Sequence, residues 1–221
     1  MSVIDLNIHT HYSNNGQYTP KEVLMMAIEL GLEYISIADC NCVRGVIEVL
    51  EKTNTKMKII PAISLDVRHQ EKPLKIIAYG IDPYHPKLME AEINSNKTDI
   101  SQLPTVKEVI SYVHEQNAIA ILIEPNIYIQ DDMDLLDELR LLGIDGIEVY
   151  CGRYEPVKTL QYRRYADKHS LIKTCGSGFC NFRSFPHCHI GRHKMPRKEQ
   201  YELINIFRKL THKKKDLQQM D

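Results

Sequence analysis

The sequence predicts an α/β fold, because short segments rich in Val, Ile and Leu alternate with segments of helical periodicity along its 221 residues. The apolar segments are nearly continuous, as in strands that are covered on both faces of a parallel sheet. Polar residues follow most of them, and in a barrel of parallel strands the carboxyl ends of the strands meet at one mouth. We therefore expect the functional residues to share one site at these strand ends.

Seven strands are predicted, at residues 3–8, 34–38, 58–63, 74–79, 118–123, 146–150 and 171–175. Helices are expected between most of them, and two are marked by capping boxes in which Glu follows Thr19 or Thr105 by three residues. The link at residues 68–73 suits a hairpin or an irregular connection better than a helix. This order of elements fits an α/β barrel or a doubly wound sheet. Because Gly-x-Gly-x-x-Gly does not follow the first strand, the dinucleotide-binding version of the sheet is disfavoured.

Length and composition predict one domain over residues 1–221, large enough to bury a full core without disulfides or metal. Within it, residues 83–103 are polar and poorly patterned, which suits a lid or a small insertion. Residues 207–221 are predicted to form a basic C-terminal helix or tail.

The charge and hydropathy patterns exclude some classes of partner. A net charge of −1 gives no overall attraction for nucleic acid, and no segment approaches the ~18 apolar residues of a membrane span. The first residues read as a strand and lack the layout of a signal peptide. We therefore expect a cytoplasmic protein with six reduced cysteines and with neither a membrane nor a nucleic-acid partner.

The strand-end segments carry a family resemblance. They read Asp5-Leu6-Asn7-Ile8-His9, Ile37-Ala38-Asp39-Cys40, Pro61-Ala62-Ile63-Ser64, Lys75-Ile76-Ile77-Ala78, Ile123-Glu124-Pro125 and Gly176-Ser177-Gly178-Phe179-Cys180. In this order and spacing the series resembles the PHP (polymerase and histidinol phosphatase) family over almost the whole chain. The resemblance implies a distorted seven-stranded (β/α)7 barrel, similar to a TIM barrel, whose mouth holds up to three metal ions. It also implies phosphoester hydrolysis by metal-bound hydroxide.

The chain departs from the family at most positions where the resemblance implies metal ligands. His9 is retained. The other implied His, Asp or Glu ligands are replaced by Asn7, Asn14 or Asn15, Cys40, Ser64, Lys75, Glu124, Gly178 and Cys180. Divalent cations a few ångströms apart need bridging carboxylates to offset their repulsion. We therefore expect the full tri-metal site to be absent.

A site for a single metal ion remains an alternative. Strand alternation would place His9 and His11 on one face, which suits joint ligation of a single Zn²⁺ or Mn²⁺ together with Cys40, Glu124 and Cys180. The alternatives are hydrogen-bonded histidines, cysteines that serve as small apolar residues, and an ion pair of Glu124 with a basic residue.

Asp39 is the candidate catalytic residue, as a proton acceptor; in the alternative interpretation it only hydrogen-bonds backbone at the rim. The candidate residues for binding a phosphate or another ligand are Asn7, Asn15, Ser64, Lys75, Arg153, Arg183, Arg192 and His193. Arginine forks suit phosphate oxygens, so a small phosphorylated molecule is the expected ligand, although each basic residue alone also fits an exposed charge.

Three functions follow from these observations. The sequence favours a phosphoesterase-like protein whose multi-metal site is substituted and which binds a phosphate or ligand with little or no catalysis. The second function is a phosphoesterase with a remodelled site of one or two metals. The third is a structural zinc-thiolate site, in which some of the six cysteines, expected near one rim of the barrel with His187 and His189, bind one Zn²⁺ tetrahedrally.

Overall fold

The computed structural model describes residues 3–52, 55–93, 99–183, 188–193 and 195–218. Its strands are β1 (Ile4–Ile8), β2 (Tyr34–Ile37), β3 (Lys58–Ile59), β4 (Ala62–His69), β5 (Lys72–Tyr79), β6 (Ile119–Leu122), β7 (Gly146–Cys151) and β8 (Ile172–Gly176). Its α-helices are α1 (Pro20–Glu29), α2 (Arg44–Lys52), α3 (Pro86–Ile93), α4 (Val106–Glu115), α5 (Pro125–Tyr128), α6 (Met133–Leu142), α7 (Pro156–His169) and α8 (Arg197–Gln218). Elements of both kinds alternate, so the α/β class is confirmed.

The strands form two sheets. The first, in the order β1-β2-β3, is parallel throughout. The second has the order β4-β5-β6-β7-β8, and β5 runs antiparallel to both of its neighbours. The short link at residues 68–73 therefore makes a hairpin, as predicted. The parallel pairing with which the apolar strand pattern is associated does not extend to β5, because a link of this length cannot carry the chain back to the other end of the sheet.

The predicted strand at residues 58–63 is divided into β3 and β4. Ile60 and Pro61 lie between the two strands, and the two strands belong to different sheets. Proline has no N–H to donate to a β-ladder, which favours an interruption at this point. The division lets β4 leave the first sheet and pair with β5.

The two sheets approach each other at two seams. At the first, His9 N donates to Phe179 O (2.7 Å) and Gly178 N donates to Asn7 O (2.8 Å). At the second, Ser64 N donates to Asp39 O (3.1 Å). The seams bring residues after β1, after β2, in β4 and after β8 into one region.

Helix boundaries follow local capping chemistry. Thr19 and Thr105 both form the predicted capping boxes. Helix α6 begins at Met133, because the Asp132 side chain accepts a hydrogen bond from Leu135 N and caps it. It ends at Gly143, which has a φ of 104°.

The segment predicted as a lid or insertion and the segment predicted as a basic C-terminal helix or tail both contain helix. Residues 83–103 include α3 and a short 3₁₀ helix at Ile100–Gln102, while residues 94–98 lie outside the described residues. The helix predicted at residues 207–221 is part of the longer α8, and residues 219–221 are not described. Within the described part of the chain, no helix has both the length and the apolar character needed to cross a membrane.

The first seam predicts a stability effect at Gly176. A Cβ atom on Gly176 would lie 2.3 Å from Asn7 Cβ and 2.8 Å from Asn7 N, so Gly176→Ala forces β1 and β8 apart. We expect the free energy of unfolding to fall by about 3 kcal/mol, the upper part of the range for overpacking. Urea denaturation measures it.

Gly31→Ala is the comparison variant. Gly31 has a φ of 71° and no atom within 4 Å of an added Cβ. It should lose only about 1 kcal/mol, from backbone strain. A Gly176→Ala protein as stable as the unaltered chain would contradict the close approach of the two strands.

Candidate functional site

A cavity of about 360 Å³ opens at the region where the two seams bring the strand ends together. Eight of the predicted site residues line it: His9, Asn15, Cys40, Ser64, Lys75, Glu124, Arg153 and Cys180. Tyr12, Ser13, Asn41, Arg44, Asp66 and Gly178 are among the other lining residues. These eight strand-end residues therefore lie together around one cavity.

Four predicted residues lie elsewhere. His11 is exposed and its ring packs against Tyr12, because β1 ends at Ile8 and strand alternation does not extend to residue 11. Arg183 and Arg192 are exposed outside the cavity lining. The ring Nε2 of His193 lies 2.7 Å from the carbonyl oxygen of Ile4. The structure does not bring these residues to His9.

Asp39 is buried behind the cavity and organises the loop after β1. Its Oδ1 accepts hydrogen bonds from Thr10 N (2.6 Å) and Ser13 Oγ (2.7 Å), and its Oδ2 accepts one from Thr10 Oγ1 (2.6 Å). Both oxygens are thus engaged with the loop. Asp39 thus hydrogen-bonds the backbone and the hydroxyl groups of this loop, the kind of contact that the hydrogen-bonding alternative describes.

Asn7 lies beneath the cavity against a buried carboxylate. Its Nδ2 donates to Glu148 Oε1 (2.9 Å), and the Tyr154 hydroxyl donates to Glu148 Oε2. Burial raises the pKa of Glu148, while the hydrogen bonds from Tyr154 and Asn7 lower it; burial prevails. Among the described residues, Asn7 Oδ1 has no hydrogen-bond partner.

Lys75 is positioned by a cross-strand pair. It lies opposite Asp66 in the β4–β5 ladder, and its Nζ is 2.5 Å from Asp66 Oδ1. Asn41 Nδ2 donates to the other oxygen of Asp66 (2.7 Å). Burial lowers the pKa of Lys75, but the negative charges of Cys40 and Asp66 outweigh it and the pKa is raised. Lys75 therefore remains a cation in the cavity wall.

Cys40 and His9 form a close pair beside Lys75. The Cys40 sulfur lies 4.0 Å from His9 Nδ1 and 4.0 Å from Lys75 Nζ. Burial works against charge on both members, yet His9 and Lys75 lower the pKa of Cys40, and Cys40 raises the pKa of His9. Each member of the pair thus favours the charged form of the other.

Arg153 and Glu124 form the second ion pair of the cavity. Arg153 Nη2 lies 2.5 Å from Glu124 Oε1. Glu124 has a φ of 51°, a left-handed conformation that is uncommon outside glycine. A Cβ atom on Gly178 would lie 2.8 Å from Arg153 Nη2. The guanidinium thus occupies the space of a side chain at residue 178, where the family resemblance implies Asp.

The remaining cysteines are dispersed. All six are thiols and not disulfides, and Cys42 lines the cavity with Cys40 and Cys180. Cys175 is fully buried in the core, and the Cys151 thiol lies 3.9 Å from Ser177 O. Over residues 3–52, 55–93, 99–183, 188–193 and 195–218, no group of three or more His, Cys, Asp or Glu side chains is arranged to hold a metal ion.

Sequence reasoning missed Asp66 and Glu148 as parts of the site. Asp66 lies two residues after Ser64 in β4, so strand alternation would have placed both on one face. Glu148 is a charged residue within the apolar β7, and a buried carboxylate needs polar neighbours. Both signals were available in the sequence.

The ion pair between Arg153 and Glu124 predicts energetic coupling. Arg153→Met or Glu124→Gln removes the ion-pair partner of a largely buried charge, so each should lower the free energy of unfolding by about 1–2 kcal/mol, below the range for fully buried pairs. The double variant should lose less than the sum, in a urea-denaturation cycle.

The exposed pair of Lys158 with Asp131, which is 83% exposed, provides the control. Asp131→Asn should change the unfolding free energy little, because exposed ion pairs contribute little. Strictly additive losses at residues 153 and 124 would contradict their coupling.

Glu148 predicts a pH dependence of stability. Its folded-state pKa is raised, so its contribution is fully present below the pKa of the unfolded chain and is lost as pH rises through the folded-state pKa. The unfolding free energy of the unaltered protein minus that of Glu148→Gln should therefore decrease as pH rises. Urea denaturation of both proteins from acidic to neutral pH measures this difference. A difference that increases with pH would show that Glu148 is stabilised as a carboxylate.

Comparisons with known proteins identify the family of this chain. An uncharacterized protein of Methanocaldococcus jannaschii, MJ1587, is 27% identical over 156 residues, which are 66% of this chain and 80% of that protein. A candidate metal-dependent phosphoesterase from Bifidobacterium adolescentis shares the fold with a TM-score of 0.74 and 16% identity, covering 91% of this chain and 95% of its own.

An amidohydrolase from Chromobacterium violaceum, solved with bound sulfate and no metal, also has a TM-score of 0.74, with 17% identity over 89% of this chain and 93% of its own. The sequence profile of the PHP domain matches residues 5–210 of this chain. Since this match spans nearly the whole sequence, the protein belongs to the PHP domain family.

Proposed function

We propose that this protein is a PHP-family member in which side-chain cations replace the multi-metal hydrolytic centre and which binds a small phosphorylated molecule with little or no hydrolysis. The observation that carries this proposal is the place of Arg153. Its guanidinium takes the space that a side chain at residue 178 would need, and it pairs with Glu124. A cation thus lies where the family resemblance implies a metal ligand.

The residues present fit a metal cluster poorly. Asp66 and Glu124 are the carboxylates that line the cavity, and each is already neutralised, by Lys75 and by Arg153 respectively. A dication would have to displace one of these cations and would be repelled by the other, and such repulsion is strong in a partly buried site. The amide N–H of Asn7 donates a hydrogen bond to Glu148 Oε1, and an N–H group cannot ligate a metal ion as the imidazole implied by the family resemblance would.

The cavity suits a small anionic molecule. Its volume of about 360 Å³ lies within the range of small-molecule sites, roughly 300–1,000 Å³. Among the described residues, its lining contains Arg44, Lys75 and Arg153 as cations and Asp66 and Glu124 as carboxylates. Guanidinium and ammonium groups bind phosphate oxygens with charge-assisted hydrogen bonds. In this proposal Asp39 positions the loop after β1 and takes no part in proton transfer.

The finer features of the fold belong to the same proposal. If β3 and β4 are counted as one interrupted strand, seven strands remain, and the two seams support their closure into the distorted barrel of the family. Ser101 and Gln102 line a groove of about 620 Å³ that shares Asn41 and Asp66 with the cavity. This contact supports the interpretation of residues 83–103 as a lid or insertion beside the site, in a single domain over residues 1–221.

Lys75→Met tests the binding. We expect calorimetry to detect binding of phenyl phosphate by the unaltered protein, and Lys75→Met to weaken it by about tenfold or more, the effect of losing one charged hydrogen bond. Lys72→Met is the matched control: it lies in the same strand, but its side chain is exposed and pairs with Asp132 outside the cavity. It should bind phenyl phosphate like the unaltered protein.

Elemental analysis and a hydrolysis assay decide the remaining alternatives. Protein prepared without a His-tag should contain substoichiometric metal and should not hydrolyse p-nitrophenyl phosphate with added Mn²⁺ or Zn²⁺. Stoichiometric metal with turnover that His9→Ala abolishes would establish the remodelled phosphoesterase, for which the shared position of His9, Cys40, Glu124 and Cys180 is the support. Stoichiometric zinc without turnover would favour the structural zinc-thiolate site.

A further inference from the structure

The chemistry of Cys40 goes beyond anion binding. Cys40 is partly exposed in the cavity lining, and its sulfur lies between His9 Nδ1 and Lys75 Nζ, 4.0 Å from each. Two groups that carry or can carry positive charge thus contact one accessible thiol. This arrangement resembles neither a core cysteine, which has apolar neighbours, nor a metal site, which needs several ligands around one point.

The other cysteines provide an internal comparison. Cys175 and Cys188 are buried in the core, and the Cys151 thiol lies 3.9 Å from the carbonyl oxygen of Ser177. The Cys40 sulfur instead faces the cavity and lies 4.0 Å from both His9 Nδ1 and Lys75 Nζ. Reactive cysteines lie beside basic groups in accessible sites, so this geometry favours reaction at Cys40 over the others.

Ser64 supplies a second, independent observation that points to a ligand. Its side chain is 1% exposed and lines the cavity, and Ser64 forms a backbone bridge with Cys40. Within the part of the chain that the structure describes, Ser64 Oγ has no hydrogen-bond partner. Unpaired buried hydroxyls are rare in native proteins. An oxygen atom of a bound molecule beside Cys40 would accept this hydrogen bond.

We propose that Cys40 is a nucleophile that forms a covalent bond with a small carbon electrophile bearing a carboxylate or phosphate group. Lys75 and the hydroxyl of Ser64 hold the anionic group, and the His9 ring lies beside the attacking sulfur as the base that accepts the thiol proton. A lone pair of the sulfur forms the S–C bond, and the leaving group departs with the electron pair of the bond that breaks. With iodoacetate as the probe, the C–I bond breaks and iodide leaves, so no further reactant is needed.

A preference for an anionic electrophile over a neutral one would distinguish this site from an ordinary exposed thiol. Iodoacetate and iodoacetamide transfer similar groups to sulfur, but only iodoacetate is negatively charged. The test compares the two alkylation rates at pH 7 on the full-length protein, with each cysteine quantified by peptide mass spectrometry. The neutral thiol 2-mercaptoethanol gives the intrinsic ratio of the two rates.

We expect Cys40 to be the fastest of the six cysteines with iodoacetate. Its ratio of iodoacetate to iodoacetamide rates should exceed that of 2-mercaptoethanol by about tenfold or more, as expected for one charged contact to the reagent. Lys75→Met and Ser64→Ala should lower this ratio toward that of the free thiol, whereas the control Lys72→Met should leave it unchanged. His9→Gln should slow both reagents at Cys40.

Circular dichroism of each variant separates a local effect from loss of folding, and Ser64→Ala, which removes a single oxygen, is the variant least expected to unfold. Alkylation of Cys40 by both reagents in the ratio shown by 2-mercaptoethanol would overturn the anion preference. Faster modification of Cys180 or Cys42 than of Cys40 would overturn the assignment of the nucleophile. Neither outcome depends on whether phenyl phosphate binds.

Discussion

The ion pair between Arg153 and Glu124 sets the electrostatics on which the rest of the site depends. It joins the residue that follows β6 with the segment that follows β7, and both members are largely buried. A partly buried carboxylate must be neutralised by a proton, a cation or several hydrogen bonds. Here the cation belongs to the protein. Lys75 does the same for Asp66 across the β4–β5 ladder, so charge balance in this cavity is part of folding.

The buried polar residues below the cavity show how the scaffold supports this arrangement. Asp39 fastens the loop after β1 through Thr10 and Ser13. Asn7 meets Glu148 at the depth where the family resemblance implies a histidine ligand. These side chains engage one another with hydrogen bonds, which gives buried polar groups a stable environment without an external ion. A buried acidic residue such as Asp39 or Glu148 in this region therefore does not by itself indicate catalytic activity.

Much of the fold was accessible from sequence because it depends on local signals. The capping boxes at Thr19 and Thr105 and the glycine at residue 143 determine helix ends through contacts within a few residues. The division of the strand at Pro61 and the reversal of β5 depend on which sheet each strand joins, and this choice is made by contacts distant in sequence. The proximity of His9, Cys40 and Glu124 was predictable, because each follows the end of a strand. The position of His11 away from them was not, because it depends on the residue at which β1 ends.

The partners of the charged residues were the least predictable part. Lys75 was expected near the cavity, but Asp66 became its partner only through the antiparallel register of the hairpin. Arg153 was one of several basic residues of equal standing in the sequence. Nothing local distinguishes it from Arg183, which is exposed, because the distinction arises from the space beside Gly178.

That space has an evolutionary consequence. A Cβ atom at residue 178 would lie 2.8 Å from Arg153 Nη2, so a side chain there displaces the guanidinium from its present position, and the backbone has a φ of 64°, which most residues adopt with strain. Shortening Arg153 first would leave Glu124 without its counter-charge. A lineage that reached this arrangement could therefore return to an acidic residue at 178 only through a less stable intermediate or through simultaneous substitutions. Under the proposed function, loss of the multi-metal site would then be hard to reverse, for reasons of packing as much as of selection.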